Sequence, residues 1–137
     1  MKVGILTFHN ALNYGAALQT FALQRFINDE YPMVVAETID YHSPAIKEVN
    51  GYGKMLSDPL IKIPFRLLNR WLKRRVFSRF SRKYMLMSSI EYSTKTIAKA
   101  ESQYDIIFVG SDQVWNPSIT HCDMNYFLQF AEKSKRY

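Results

Sequence analysis

Two polar clusters, each following a short apolar run, hold the residues with the widest chemical reach. The first runs from Phe8 to Gly15 and carries His9, Asn10, Asn13 and Tyr14. The second is Gly110-Ser111-Asp112-Gln113, followed by Trp115-Asn116-Pro117. An imidazole such as that of His9 exchanges protons near neutral pH. A carboxylate such as that of Asp112 can act as general base or accept hydrogen bonds from hydroxyl groups. Asn10, Asn13, Tyr14, Ser111, Gln113 and Asn116 offer donors and acceptors that would orient a polar ligand. Gly15 and Gly110 permit close approach of backbone or ligand. Structural roles compete at the same positions: Asp112 suits capping of the next turn, His9 a satisfied loop imidazole, and Trp115 core packing.

The elements that would position these groups follow from apolar periodicity. Lys2 to Thr7 reads as a first strand. From about Ala16 the pattern is helical, with Leu18, Phe21, Ala22 and Arg25 on one face, flanked by Ala17, Leu23 and Ile27. Asn13 suits the N-cap, and a polar loop leading into such a helix start favours anions. Val34 to Tyr41 reads as a second strand, giving a right-handed βαβ unit. Asp40, at its carboxyl end, fits either a ribose hydroxyl or side-chain bonds within the following loop. Ile106 to Val109 are apolar without alternation, as in a parallel strand buried on both faces, and ligands bind beyond the carboxyl ends of such strands. The fold class is therefore α/β, a Rossmann-like parallel sheet with flanking helices. No glycine fingerprint of a dinucleotide or P-loop site occurs. Residues 43–58 read as an irregular excursion, 93–102 as a short helix and 118–125 as a polar loop. Tyr126 to Leu128 are expected to pack back onto the domain, and 132–137 to fray.

The chain has 137 residues, enough for one domain, and its 47% hydrophobic content supports a core rather than disorder. Its net charge of +6 is mostly local. Residues 59–87 hold nine of the 18 basic residues and no acid. There Ile61, Phe65, Leu68, Leu72, Val76 and Phe80 recur at helical spacing, as in a basic amphipathic helix. Such a helix can pack its stripe on the core, touch anionic lipid or a lipid-linked sugar carrier, or attract an acidic polymer. No RNA-binding signature accompanies it, so no nucleic-acid partner is expected. The single Cys122 excludes an internal disulfide and fits a reducing compartment. His121, Cys122 and Asp123 are adjacent and do not converge on one centre, so no metal is expected. No signal peptide or apolar span appears, which suggests a cytoplasmic protein, at most peripheral to the inner face of the membrane.

Read in order, several segments resemble the polysaccharide pyruvyl transferase family. They are Gly4-Ile5-Leu6-Thr7-Phe8-His9, Asn13-Tyr14-Gly15-Ala16, Leu18-Gln19, Ala22-Leu23, Ile39-Asp40-Tyr41, Tyr104-Asp105 through Asn116-Pro117, and Asp123 with Tyr126-Phe127-Leu128. The resemblance implies one of two Rossmann-like halves, similar to the amino-terminal half of a GT-B fold. It implies transfer of a pyruvyl group from phosphoenolpyruvate to a saccharide hydroxyl, giving a ketal in cell-surface or exopolysaccharide biosynthesis. Phosphoenolpyruvate is then the donor substrate and no cofactor is needed. The acceptor is a saccharide or lipid-linked glycan. Asp112 and His9 become the catalytic candidates, and Asn10, Asn13, Tyr14, Gly15, Gly110, Ser111, Gln113, Trp115 and Asn116 the substrate-binding ones. Residues 1–137 would form the acceptor-side domain, with the donor-binding half missing, because family members begin another strand where this chain stops. A non-catalytic sugar-binding remnant, or half of a glycosyltransferase using a nucleotide-sugar, remains open.

Overall fold

The protein is described by a computed structural model covering residues 1–49, 63–110 and 112–137, without the side chains of Val49, Ile63 and Asp112. The start of the basic segment, most of the expected excursion, and Ser111 lie outside the described residues. Four strands form one all-parallel sheet in the order β3-β2-β1-β4. These are β1 (Lys2–Leu6), β2 (Val35–Tyr41), β3 (Met87–Tyr92) and β4 (Ile106–Val109). Helices α1 (Tyr14–Glu30), α2 (Pro44–Val49), α3 (Ile63–Tyr84) and α4 (Pro117–Thr120) flank it, with short 3-10 turns between. This is the α/β, Rossmann-like architecture expected from the sequence.

β1 is central and covered on both faces. Val3 and Ile5 pack with Ala36 and Ile27 of α1. Leu6 joins Ile39, Tyr41, Tyr104, Ile107 and Tyr126 on the other side. On that side Gly4 is required by close approach: a Cβ there would lie 2.8 Å from Ile39 Cδ1 and 3.0 Å from the Tyr104 ring. β4 is less enclosed than expected, since only Ile107 is fully buried and Ile106, Phe108 and Val109 are half-buried. It borders the sheet, with Ile107 and Val109 packing on one core cluster and Ile106 and Phe108 on the other.

Several elements differ from the sequence reading. The buried face of α1 is Ala17, Thr20, Gln24 and Ile27, while Leu18, Ala22 and Arg25 are exposed. The polar Gln24 is drawn inward because its amide pairs with Leu86, accepting from the backbone N–H at 2.7 Å and donating to the carbonyl at 2.7 Å. Residues 44–49 form α2 rather than irregular chain. β3 carries exposed Ile90 and buried Ser88, an inverted pattern that hid the strand. The presumed loop at 118–125 contains α4 and the start of a 3-10 turn, Met124–Phe127. The carboxyl-terminal residues are not frayed. Tyr137 donates to the Ile107 carbonyl at 3.0 Å and accepts from the Val109 N–H at 2.9 Å.

Candidate functional site

The carboxyl ends of β1 and β2 are neighbours, and the side chains just beyond them meet. Asp40 Oδ1 lies 3.0 Å from His9 Nε2 and 2.9 Å from His42 Nε2. The two imidazoles stand nearly perpendicular, with centroids 6.1 Å apart. His9 is only 6% exposed, and its Nδ1 is buried with no hydrogen-bond partner. On His42, Nδ1 lies 3.4 Å from the Asn10 amide nitrogen, which places the ring proton on Nε2, facing Asp40. Asp40 is set by a register shift between β2 and β3, where its backbone N–H is taken by Ser88 Oγ at 2.9 Å. Irregular pairing of this kind re-aims a side chain at a strand end. The hydrogen bond from His9, aided by the charge of both imidazoles when protonated, holds the Asp40 carboxyl below the usual carboxylate range against the opposing effect of burial.

This cluster opens into a cleft of about 370 Å³, walled on the other side by α3 residues Arg74, Phe77, Ser78, Ser81 and Arg82. The cleft thus sets an acid–base cluster opposite two guanidinium groups. His9, Asp40 and His42 could also hold a divalent ion, since their ligand atoms all lie within 4.8 Å of one another. Two imidazole N–H groups already directed at Asp40 Oδ1, and two cationic side chains lining the same cleft, favour a hydrogen-bonded relay over a bare dication.

The sequence candidates separate into two groups. His9 and Asn10 line the cleft. Asn13 is the N-cap of α1, accepting from the Ala16 N–H at 3.3 Å. Tyr14 is exposed and packs on Phe77 at 5.0 Å. Gly15 is exposed, and an added Cβ there would meet Asn13 Oδ1 at 3.2 Å. At β4, Gly110 fits against Leu23, where a Cβ would come within 3.1 Å, and its carbonyl accepts from the Thr7 hydroxyl. Gln113 and Asn116 bond to each other at 3.2 Å, and Asn116 caps α4 by accepting from the Ser118 N–H at 3.0 Å. Trp115 donates to the Tyr126 carbonyl and stacks on Phe127. None of these β4-side groups lines the cleft beside His9. Asp112 begins the 3-10 turn Asp112–Trp115, and its side chain lies outside the described set.

His42 is the member that sequence reasoning did not single out, and for Asp40 it suggests a ribose-hydroxyl or loop-holding carboxylate rather than the partner of His9. The signal for His42 is positional: with Asp40 it sits at the end of the strand neighbouring the one that ends near His9. Comparison with protein-family models, curated proteins and solved structures finds no match to this chain. Among the described residues, no helix is long and apolar enough to cross a membrane.

Proposed function

We propose that this chain is the acceptor-side part of a polysaccharide pyruvyl transferase, moving the enolpyruvyl carbons of phosphoenolpyruvate onto a saccharide or lipid-linked glycan. The observation that carries this reading is the His9–Asp40–His42 cluster facing Arg74 and Arg82 across one cleft. Ketal formation needs both halves of that arrangement. The enol CH2 gains a proton, giving an oxocarbenium-like carbon. A sugar hydroxyl attacks it and loses its proton, the C–O bond to phosphate breaks, and a second hydroxyl closes the ring. Of the two hydroxyl protons, one balances the methyl group formed and the other leaves with phosphate. His9 and Asp40 are suited to accept and return protons. The guanidinium groups are suited to the phosphate. Asp112, just past the end of β4, is the further proposed carboxylate for the acceptor. The donor-binding half, carried by a carboxyl-terminal domain, belongs to the same proposal, as does work in the cytoplasm beside the inner face of the membrane.

The test uses the product of the complete reading frame, with phosphoenolpyruvate and a panel of saccharide acceptors. Released phosphate and the mass of the acceptor are followed together. His9→Gln and Asp40→Asn are expected to lower turnover by about 10²-fold or more while the circular dichroism spectrum is retained. Asp112→Asn is expected to act likewise. Acceptor-dependent consumption of a nucleotide-sugar, with phosphoenolpyruvate inert, would replace this reading with glycosyl transfer.

A further inference from the structure

Helix α3 does not bury the stripe its sequence presents. Its 22 residues hold eight bases, no acid and ten apolar or aromatic side chains that do not share one face. At 3.6 residues per turn, Phe77, Phe80 and Tyr84 fall on one side and pack against α1. Phe80 and Tyr84 meet Phe21 at 5.7 and 6.2 Å, and Phe77 meets Tyr14. Phe65, Leu68, Leu72 and Val76, spaced by three and four residues, turn outward. They are 67%, 53%, 45% and 56% exposed. Trp71 stands beside them, exposed, with the Arg75 guanidinium 4.8 Å from its ring centroid. Arg75, Arg79 and Lys83 continue the outer face toward the helix end. The apolar surface also runs sideways into a small groove of about 120 Å³ between α1 and α3, where Tyr14 and Leu18 are exposed next to Val76.

We infer that the outer face of α3 docks on an anionic lipid surface, lying in the plane of the headgroups. The stripe would enter the acyl boundary while Arg75, Arg79 and Lys83 meet lipid phosphates. Three observations select this occupant. Arg75, Arg79 and Lys83 stand on the same face as the apolar stripe with no acid anywhere on the helix, whereas residues outside 59–87 set nine bases against twelve acids, so this face joins exposed apolar surface to uncompensated positive charge. A second copy docking by the same face would oppose Arg75, Arg79 and Lys83 to the same three cations with no acid to pair them. A nucleic acid would meet the bases but leave Phe65, Leu68, Leu72 and Val76 in water. The inference rests on α3 alone and does not depend on the reaction proposed for the cleft.

Co-sedimentation with phosphatidylcholine vesicles, with and without phosphatidylglycerol, tests it directly. Affinity is expected to be about tenfold or more higher for the anionic vesicles and to fall with added salt. In a Trp115→Phe background, Trp71 emission is expected to shift to the blue on binding. Leu68→Gln with Leu72→Gln, both at exposed positions, is expected to reduce binding about tenfold while the melting temperature is retained. Arg75→Gln with Arg79→Gln should do the same and flatten the salt dependence. Equal affinity for neutral and anionic vesicles, or binding insensitive to both double variants, would overturn the inference. So would a concentration-dependent dimer dissolved by the leucine variants, or retention of an oligonucleotide that those variants leave unchanged.

Discussion

Asp123 shows how single residues tie the far side of the sheet together. Its Oδ2 accepts from the Tyr41 hydroxyl at 2.6 Å and from the Ser43 hydroxyl at 2.9 Å, while Oδ1 caps the following turn at the Asn125 N–H. Burial, and then the Asp123 carboxylate, raise Tyr41 to about 12. An ordinary tyrosine ionises near 10, so the raised value means stability that is complete below about pH 10 and lost as pH climbs toward about 12. Tyr41→Phe keeps the ring contact with Tyr126 and removes the hydroxyl. We expect it to cost about 1–2 kcal/mol at neutral pH, with the difference from the parent shrinking through that alkaline window. Urea titrations at several pH values would measure this; a difference independent of pH would refute it. The histidine cluster was half legible. His9 could be picked from its place after β1, and the βαβ unit set Asp40 beside it, but the bridging of both imidazoles by one Asp40 oxygen could not be read, because it depends on the register shift after Thr38.

Among elements, α1 shows what periodicity misses. Leu18 and Phe21 looked like its buried face, yet Thr20 and Gln24 are the residues turned inward. Their polarity disguised them, because each is satisfied inside: Thr20 by the Ala16 carbonyl, and Gln24 by Leu86 and the Thr38 hydroxyl at 3.1 Å. Asn28 repeats the device one turn on, pairing both backbone groups of Ala36 at 2.8 and 3.1 Å. Two side-chain amides of a helix thus stand in for strand neighbours. Gln24→Leu should leave the Leu86 N–H without a partner, while the Leu86 carbonyl keeps the Thr38 N–H at 2.8 Å. The expected loss is about 2–4 kcal/mol in urea unfolding, together with faster amide exchange at Leu86. Unchanged exchange there would show that the pairing is dispensable. The β4 strand and Asn13 cap were readable because each rests on local chemistry. β3 was not, since its exposed Ile90 and buried Ser88 make sense only once the neighbouring β2 is known.

At the scale of the whole molecule, the sheet order places the earliest strand in the middle. Each end of the sheet requires a long crossover, and the Thr7–Gly110 hydrogen bond closes a separation of 103 residues. Contacts of this span form slowly because the loop must be ordered before the pairing is gained. Ribosome-bound chains halted after Tyr92 should therefore leave β1 open to protease, whereas chains carried past Tyr137 by a linker should protect it. Equal protection in both would show that β1 is secured without β4. During synthesis at about 5–20 residues per second, β1 waits about 5–20 s between its own emergence and that of β4. Through that interval its apolar residues have a bare edge and no β4 to pair with. The newborn chain is thus a natural client for a holdase at the ribosome exit, and its yield should depend on that helper more than its final stability does.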